Sequence, residues 1–495
     1  MSLTPNTGRR RWWRAPLATF VPAAALLLFL PGALGAQLGA GVARANRLEP
    51  TSNSMAAVSE FNAGLLDLNN VQTVRAANHL RRSVDADPSL GIARVLLATV
   101  ATDLNVTARD AEFARGISDA AKASAPEFLL ASALRARFKN DFIGAQSLLQ
   151  AAERMLPNDP SIAYISALNV GALPGSSYAA TIEPLRKLTT SFPDFAPAFN
   201  QLAYNRWRSG DHAGALETVK MYVNQAPNEP NAHDSFGEIL MLSGRFDEAV
   251  IELNKALDLD NALIVPAQRI ACLRVIEGKG DLARTALNAV LPRAATPGVR
   301  ISLLNQIAAT FMLDGNAKLA MAQIETSIAE AQKANMVMSV SSGHATLAII
   351  DALIGDGKSV GNHLSMVGDG VTAIDKAYYS GLAMALTKQN AAARSAVETL
   401  MHETMGKSTL ANARLAPIIN GLVLINEGKA NDAIIEMNRT DLVTPLTRAV
   451  LALAHAKAGN LGLARSLRDE ILGDRGLALT NGGLVTARVL VKRIT

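Results

Sequence analysis

The stretch Ser235-Phe-Gly-Glu-Ile-Leu-Met-Leu-Ser-Gly-Arg-Phe-Asp-Glu-Ala-Val250, continued by Asn254-Lys-Ala-Leu257, decides the fold of this 495-residue chain. Gly244 is echoed by Gly210 and Gly278, each 34 residues away, and Ala215, Ala249 and Ala283 follow them five residues later. A fixed period of that length marks a stacked helix-pair repeat. In this copy Phe236, Gly237 and Leu240 share one helix, and Ala249, Leu253 and Ala256 share the next. The copies on either side present Leu202, Ala203, Val219 and Tyr222, then Ile270, Ala271, Leu287 and Val290. Each glycine is expected to end a first helix in the left-handed conformation that side chains resist. Asp211, Asp247 and Asp281 are expected at or near the start of the second helix, where a carboxylate satisfies orphan N–H groups. The small residues let two helices cross closely. Pro88, Pro126, Pro157, Pro193 and Pro227 are read as helix-ending prolines.

This pattern resembles the tetratricopeptide repeat of exported bacterial proteins. Phe199, His233 and Ala267 stand at the family's tryptophan position, and Leu-Ala or Ile-Ala replaces its Leu-Gly in two copies. The resemblance implies an all-α, right-handed superhelical solenoid of stacked antiparallel helix pairs, whose first helices line a groove that holds another polypeptide. Carried over residue by residue, the groove positions are Asn200, Tyr204 and Trp207, then Asp234, Glu238 and Met241, then Gln268, Cys272 and Val275. Arg208 joins Tyr204 and Trp207 in a candidate anchor. Trp207 has a second reading, as a packing residue between neighbouring pairs. The family's lysine and asparagine clamp for a peptide carboxylate is not reproduced.

Outside residues 196–297 the repeat is fainter. Gly315 with Ala320, Gly428 with Ala433 and Gly459 with Ala464 keep the five-residue offset. About 12 helix pairs fit between residues 57 and 480. Residues 57–297 are read as tetratricopeptide-like repeats, 298–481 as degenerate repeats, and 482–495 as a C-terminal capping helix. Residues 335–410 are assigned as helical mainly by continuity. In the last segment Leu484, Ala487, Val491 and Ile494 have helical spacing, with Arg488, Lys492 and Arg493 on other faces. That segment is read as a solvating cap on the last pair.

The N-terminus carries an address. Arg9-Arg-Arg-Trp-Trp-Arg14 precedes an apolar run from Leu17 to Leu30 and small residues to Ala36. Residues 1–36 are read as a bacterial secretory signal cleaved near Gly35 or Ala36, sending the chain to the periplasm or outside the cell. The arginines also resemble a twin-arginine export motif. A retained membrane anchor is the competing reading, weakened by Pro22 within a short run. Residues 37–56 are read as a flexible tether. Four signal arginines account for most of the formal charge of +5, so no basic nucleic-acid surface is implied.

Recognisable chemistry is sparse. The seven histidines show no zinc spacing, and the lone Cys272 is read as a buried structural thiol. Gly355-Asp-Gly-Lys-Ser359 imitates part of a phosphate loop, but Ala352 occupies its first glycine position and a helix precedes it, so it reads as a turn. No catalytic, cofactor or metal residues are assigned. The expected function is a non-enzymatic interaction scaffold or adaptor of the cell envelope, binding a protein or peptide, without nucleic acid and without membrane insertion after signal cleavage. The alternatives are a hydrolase-type enzyme in the irregular C-terminal half and a membrane-anchored envelope assembly factor.

Overall fold

The structure is a computed structural model that describes residues 48–494, apart from 70–71, 102–103, 369, 405–414, 439–443 and 474–481. The signal segment and the start of the tether lie outside the described residues. Among those described there are 25 α-helices and no strand. Contacts divide the chain into two compact units, up to Ser243 and from Gly244. The sequence boundary at 297 marked where repeat regularity falls, whereas the contact boundary falls between the two helices of one repeat.

In the first unit α1 (Met55–Asn69) pairs with α2 (Thr73–Ala86), α3 (Gly91–Val100) with α4 (Val106–Ala123), and α5 (Ala125–Phe138) with α6 (Phe142–Met155). Next come α7 (Pro160–Ala172) with α8 (Ile182–Ser191) and α9 (Ala196–Arg208) with α10 (His212–Gln225), and α11 (Pro230–Leu242) ends the unit. The second unit opens on α12 (Phe246–Leu259). Then come α13 (Val265–Ile276) with α14 (Gly280–Val290), α15 (Pro297–Leu313) with α16 (Ala317–Lys333), and α17 (Val337–Ile354) with α18 (Gly357–Ser365). The last pairs are α19 (Ala373–Leu386) with α20 (Asn390–Thr404), α21 (Leu415–Asn426) with α22 (Ala430–Asn438), and α23 (Pro445–Lys457) with α24 (Leu461–Leu472), followed by α25 (Gly482–Val491). The fold is an all-α helical repeat, and pairing continues through the irregular stretch.

The local signals act as their chemistry requires. Gly210, Gly244 and Gly278 have φ of +89°, +78° and +75°, and Gly315, Gly355, Gly428 and Gly459 share the left-handed turn. After Gly210 the chain closes with Asp211 N donating to Arg206 O at 2.9 Å, which satisfies a carbonyl at the helix end. The alanines five residues on (Ala215, Ala249, Ala283, Ala320, Ala433 and Ala464) are completely buried. Helices of 9 to 18 residues are marginal alone, so burial against neighbours is what holds them. α17 is the one helix among the described residues long and apolar enough to cross a membrane. Its Leu347, Ile350 and Leu353 are spent in the core of its unit.

The three aspartates stand at or near the second-helix starts as expected: Asp211 caps α10, accepting from Gly214 N at 2.9 Å, and Asp247 and Asp281 are the second residues of α12 and α14, behind Arg245 and Lys279 at the cap positions. Two other expectations change. Pro126 starts α5 rather than ending α4, because its missing N–H is harmless in a first turn. The described part of the tether is fastened down. Leu48 N donates to Asp159 Oδ2 at 2.8 Å, Thr51 Oγ1 to Glu127 Oε1 at 2.5 Å and Ser52 Oγ to Asp87 Oδ2 at 2.5 Å, and α1 has begun by Met55. Asp159 also caps α7 through Ser161 N and Ile162 N, so one carboxylate ends the strap and starts a helix.

A close backbone crossing joins α3 and α4. A Cβ on Gly91 would collide with Gly116 O and Ala120 N, both fixed backbone atoms, whereas Gly361 in α18 faces open space. Gly91→Ala is expected to cost about 1–3 kcal/mol, and Gly361→Ala to be neutral or stabilising by up to about 1 kcal/mol. Thermal melts of the two variants check this, and equal melting temperatures would contradict the crossing.

Candidate partner-binding face

Residues one repeat apart meet on α9 and α11. Tyr204 Oη donates to Glu238 Oε2 at 2.5 Å, joining equivalent positions of successive first helices. Beside them Arg208 is exposed, its guanidinium lying 5.0 Å from the Tyr178 ring centre and 5.8 Å from that of Tyr204. A guanidinium over aromatic faces is attracted by the ring quadrupoles, and this one remains open to solvent. Tyr204, Glu238 and Arg208 therefore form one half-exposed polar and aromatic cluster in the first unit.

The other expected contacts are placed differently. Trp207 packs with Ala203, Val219, Leu216, Phe236 and Ile239, its ring 4.1 Å from that of His212. Its main work is to fill space between α9, α10 and α11. Met241 is 1% exposed and belongs to the core, and Asn200 and Asp234 are also buried. These three are withdrawn as surface contacts, because neighbouring side chains close over them. Gln268 is half-buried on α13, in the second unit. Cys272, carried over as a groove position, is fully buried in the core of the second unit.

Buried polar side chains tie the layers together. Arg137 on α5, nearly buried, donates to Asn169 Oδ1 on α7 at 2.5 Å, and Asn169 Nδ2 donates back to Phe142 O and Gln146 Oε1, both at 2.8 Å. Burial lowers the Arg137 pKa to about 10, since the charged form is poorly solvated there. Arg206 reaches Gly214 O and Thr218 Oγ1 on the paired helix at 3.1 and 2.9 Å.

Sequence reading missed a cluster in the second unit. His344 and Asp351 stand two turns apart on α17, and His363 comes from α18. His363 Nε2 lies 3.6 Å from Asp351 Oδ2, and the two imidazoles stack at 5.9 Å. The seven-residue spacing on a helix was the available signal; the partner from α18 had none. Among the described residues no group of three His, Cys, Asp or Glu has a metal-holding arrangement. The turn from Gly355 to Ser359 is a helix start: Asp356 caps α18, accepting from Ser359 N and Oγ at 3.2 and 2.7 Å. Two depressions, of 350 Å³ near Phe128 and Arg135 and 490 Å³ between α19 and α20, are open and shallow.

The 34-residue period, the left-handed glycines and the sealed alanines define an all-α fold of repeated helix pairs, as the resemblance to tetratricopeptide repeats implies. Among solved structures the chain is similar to a tetratricopeptide repeat protein from Parabacteroides merdae, at 16% identity over 52% of this chain and 98% of that one, with a TM-score of 0.39. It is also similar to a thermophilic TPR protein of Thermus thermophilus, TTC0263, at 19% identity over 36% and 96% of the two chains, TM-score 0.31. PilF of Pseudomonas aeruginosa matches at 13% identity over 43% and 93%, TM-score 0.32. No family model and no curated protein matches the chain.

The histidine cluster gives a pH-dependent expectation. Burial raises the Asp351 pKa above its usual value, against the opposing pull of His363. A raised carboxyl favours the fold at low pH, and that contribution is lost as pH rises through its folded value. Burial and His363 lower the His344 pKa, so its contribution is present above the usual histidine value and is lost as pH falls below it. Asp351→Asn is expected to raise the melting temperature at pH 7, with the gain shrinking toward pH 4. Melts across that range check it, and a gain independent of pH would contradict the burial argument.

Proposed function

We propose that this chain is a non-enzymatic scaffold of the cell envelope that holds a partner polypeptide on its first-helix faces. The observation that carries the reading is the cluster of Tyr204, Glu238 and Arg208 on adjacent first helices. It combines an aromatic surface, a carboxylate and an exposed guanidinium, and aromatic and arginine side chains dominate binding energy at protein interfaces. The rigid pairs beneath it supply the preorganisation that limits the entropy lost on docking. The open depressions elsewhere suit a polypeptide better than an enclosed small substrate. The basic and apolar N-terminal segment supports export and an envelope location, with the partner meeting the chain after the signal is removed.

The test is capture of partners from an envelope fraction by the full chain. Tyr204→Ala with Arg208→Ala is expected to cost at least about 2 kcal/mol in affinity, about 30-fold, if these are anchor residues. Helicity should not change, since neither residue fills the core. Recovery of the same partners in equal amounts would remove this face from the function. Edman or mass analysis of the mature N-terminus tests the export reading separately: a start near Gln37 is expected, and an intact Met1 would overturn cleavage.

A further inference from the structure

Among the described residues α25 is the last helix. It packs on α23 and α24 and also on α15, more than 150 residues earlier in the chain. Leu484, Ala487, Leu490, Val491 and Ile494 enter the same core as Met312, Leu353, Val450 and Ile471. Its cations are used as well. Lys492 Nζ donates to Leu313 O at the end of α15, and Arg493 reaches Leu353 O near the end of α17 at 2.5 Å. Arg488 is buried and donates to Ile471 O and Leu472 O at the end of α24, both at 3.3 Å. The segment read from sequence as a cap on the last pair does pack on α23 and α24, and the three cations that spacing placed on its other faces reach the ends of α15, α17 and α24. The physical reason is that the last turns of α15, α17 and α24 leave carbonyls without intrahelical donors, at the negative ends of the helix dipoles.

An apolar stripe laid on several helices, finished by cations on helix C-termini, is how an amphipathic helix is received by a groove. A ten-residue helix is too short to persist alone, so the shape of α25 is imposed by the surface beneath it. We propose that this surface of the second unit is a receptor for an amphipathic helix with a basic C-terminal end, and that α25 is its resident intramolecular occupant. The partner carries apolar residues at the offsets of 484, 487, 490, 491 and 494, and cations at those of 488, 492 and 493. Being tethered, α25 holds the site at high effective concentration, and an outside helix enters only once α25 is weakened or outcompeted. The inference goes beyond the face on α9 and α11 and uses the second unit alone, so either can fail without the other.

The probe is a fluorescein-labelled peptide of residues 482–495, titrated by polarisation into the full chain, into Lys492→Glu with Arg493→Glu, and into Leu490→Asp. The charge reversal sets carboxylates against carbonyl ends without touching the apolar core, and Leu490→Asp breaks the apolar seat. Both variants are expected to bind the peptide at least about tenfold more tightly than the wild type, whose site is already filled. Hydrogen exchange should show α25 opening before α23 in the wild type, and losing protection in the variants while α13 to α23 keep theirs. Equal peptide binding in all three proteins would overturn the proposal. So would loss of protection throughout α13 to α24 in both variants, which would make α25 a fixed part of the core. A dimer by light scattering that excludes the peptide would assign α25 to exchange between copies and overturn it likewise.

Discussion

The close crossing of paired helices at a residue no larger than alanine is the constraint on which the structure depends. Ala215, Ala249, Ala283, Ala320, Ala433 and Ala464 are sealed between helices, and Gly91 and Gly116 carry the idea to backbone contact. Short interaxial distance lets residues such as Val219, Leu253 and Leu287 reach the facing helix and bury fully. A larger residue at the crossing would part the helices and forfeit many dispersion contacts together. Because each pair leaves apolar surface on both sides, it requires a neighbour, and the array grows by repetition.

Helix ends supply the second layer of organisation. Where the chain turns from a first helix to a second, a residue in the left-handed conformation, most often glycine, makes the turn, and a side chain from Asp141, Asp211, Asn316 or Asp356 caps the next helix. Helix ends also receive segments distant in sequence, through capping carboxylates in one case and backbone carbonyls in the other. The strap at 48–54 binds Glu127 and Asp159 at the starts of α5 and α7 and Asp87 just before α3, and α25 sets its cations on the ends of α15, α17 and α24. Cationic donors suit helix C-termini, where unsatisfied carbonyls gather.

The candidate face shows how far repeat positions carry. Counting along the repeat places a residue on the correct helix and near the correct side. It does not separate Tyr204, which bonds to Glu238 at the surface, from Trp207, whose larger ring is drawn into the space among three helices. Nor does it separate Glu238 from Asp234 and Met241, over which neighbours close. A rotation of a fraction of a turn decides exposure, and packing sets that rotation.

The sequence by itself determined the helix pairs, their period, the turning glycines and the small crossing residues, because each follows from backbone sterics and spacing within 34 residues. It also determined which side chains lie on first helices. Only the tertiary structure decided which of those stay accessible, which histidines meet Asp351, and where the strap and α25 dock. The docking contacts join residues tens to more than a hundred positions apart. No local pattern encodes such contacts: a helix C-terminus offers carbonyls to any cation that arrives, and the path of the whole unit chooses which one does.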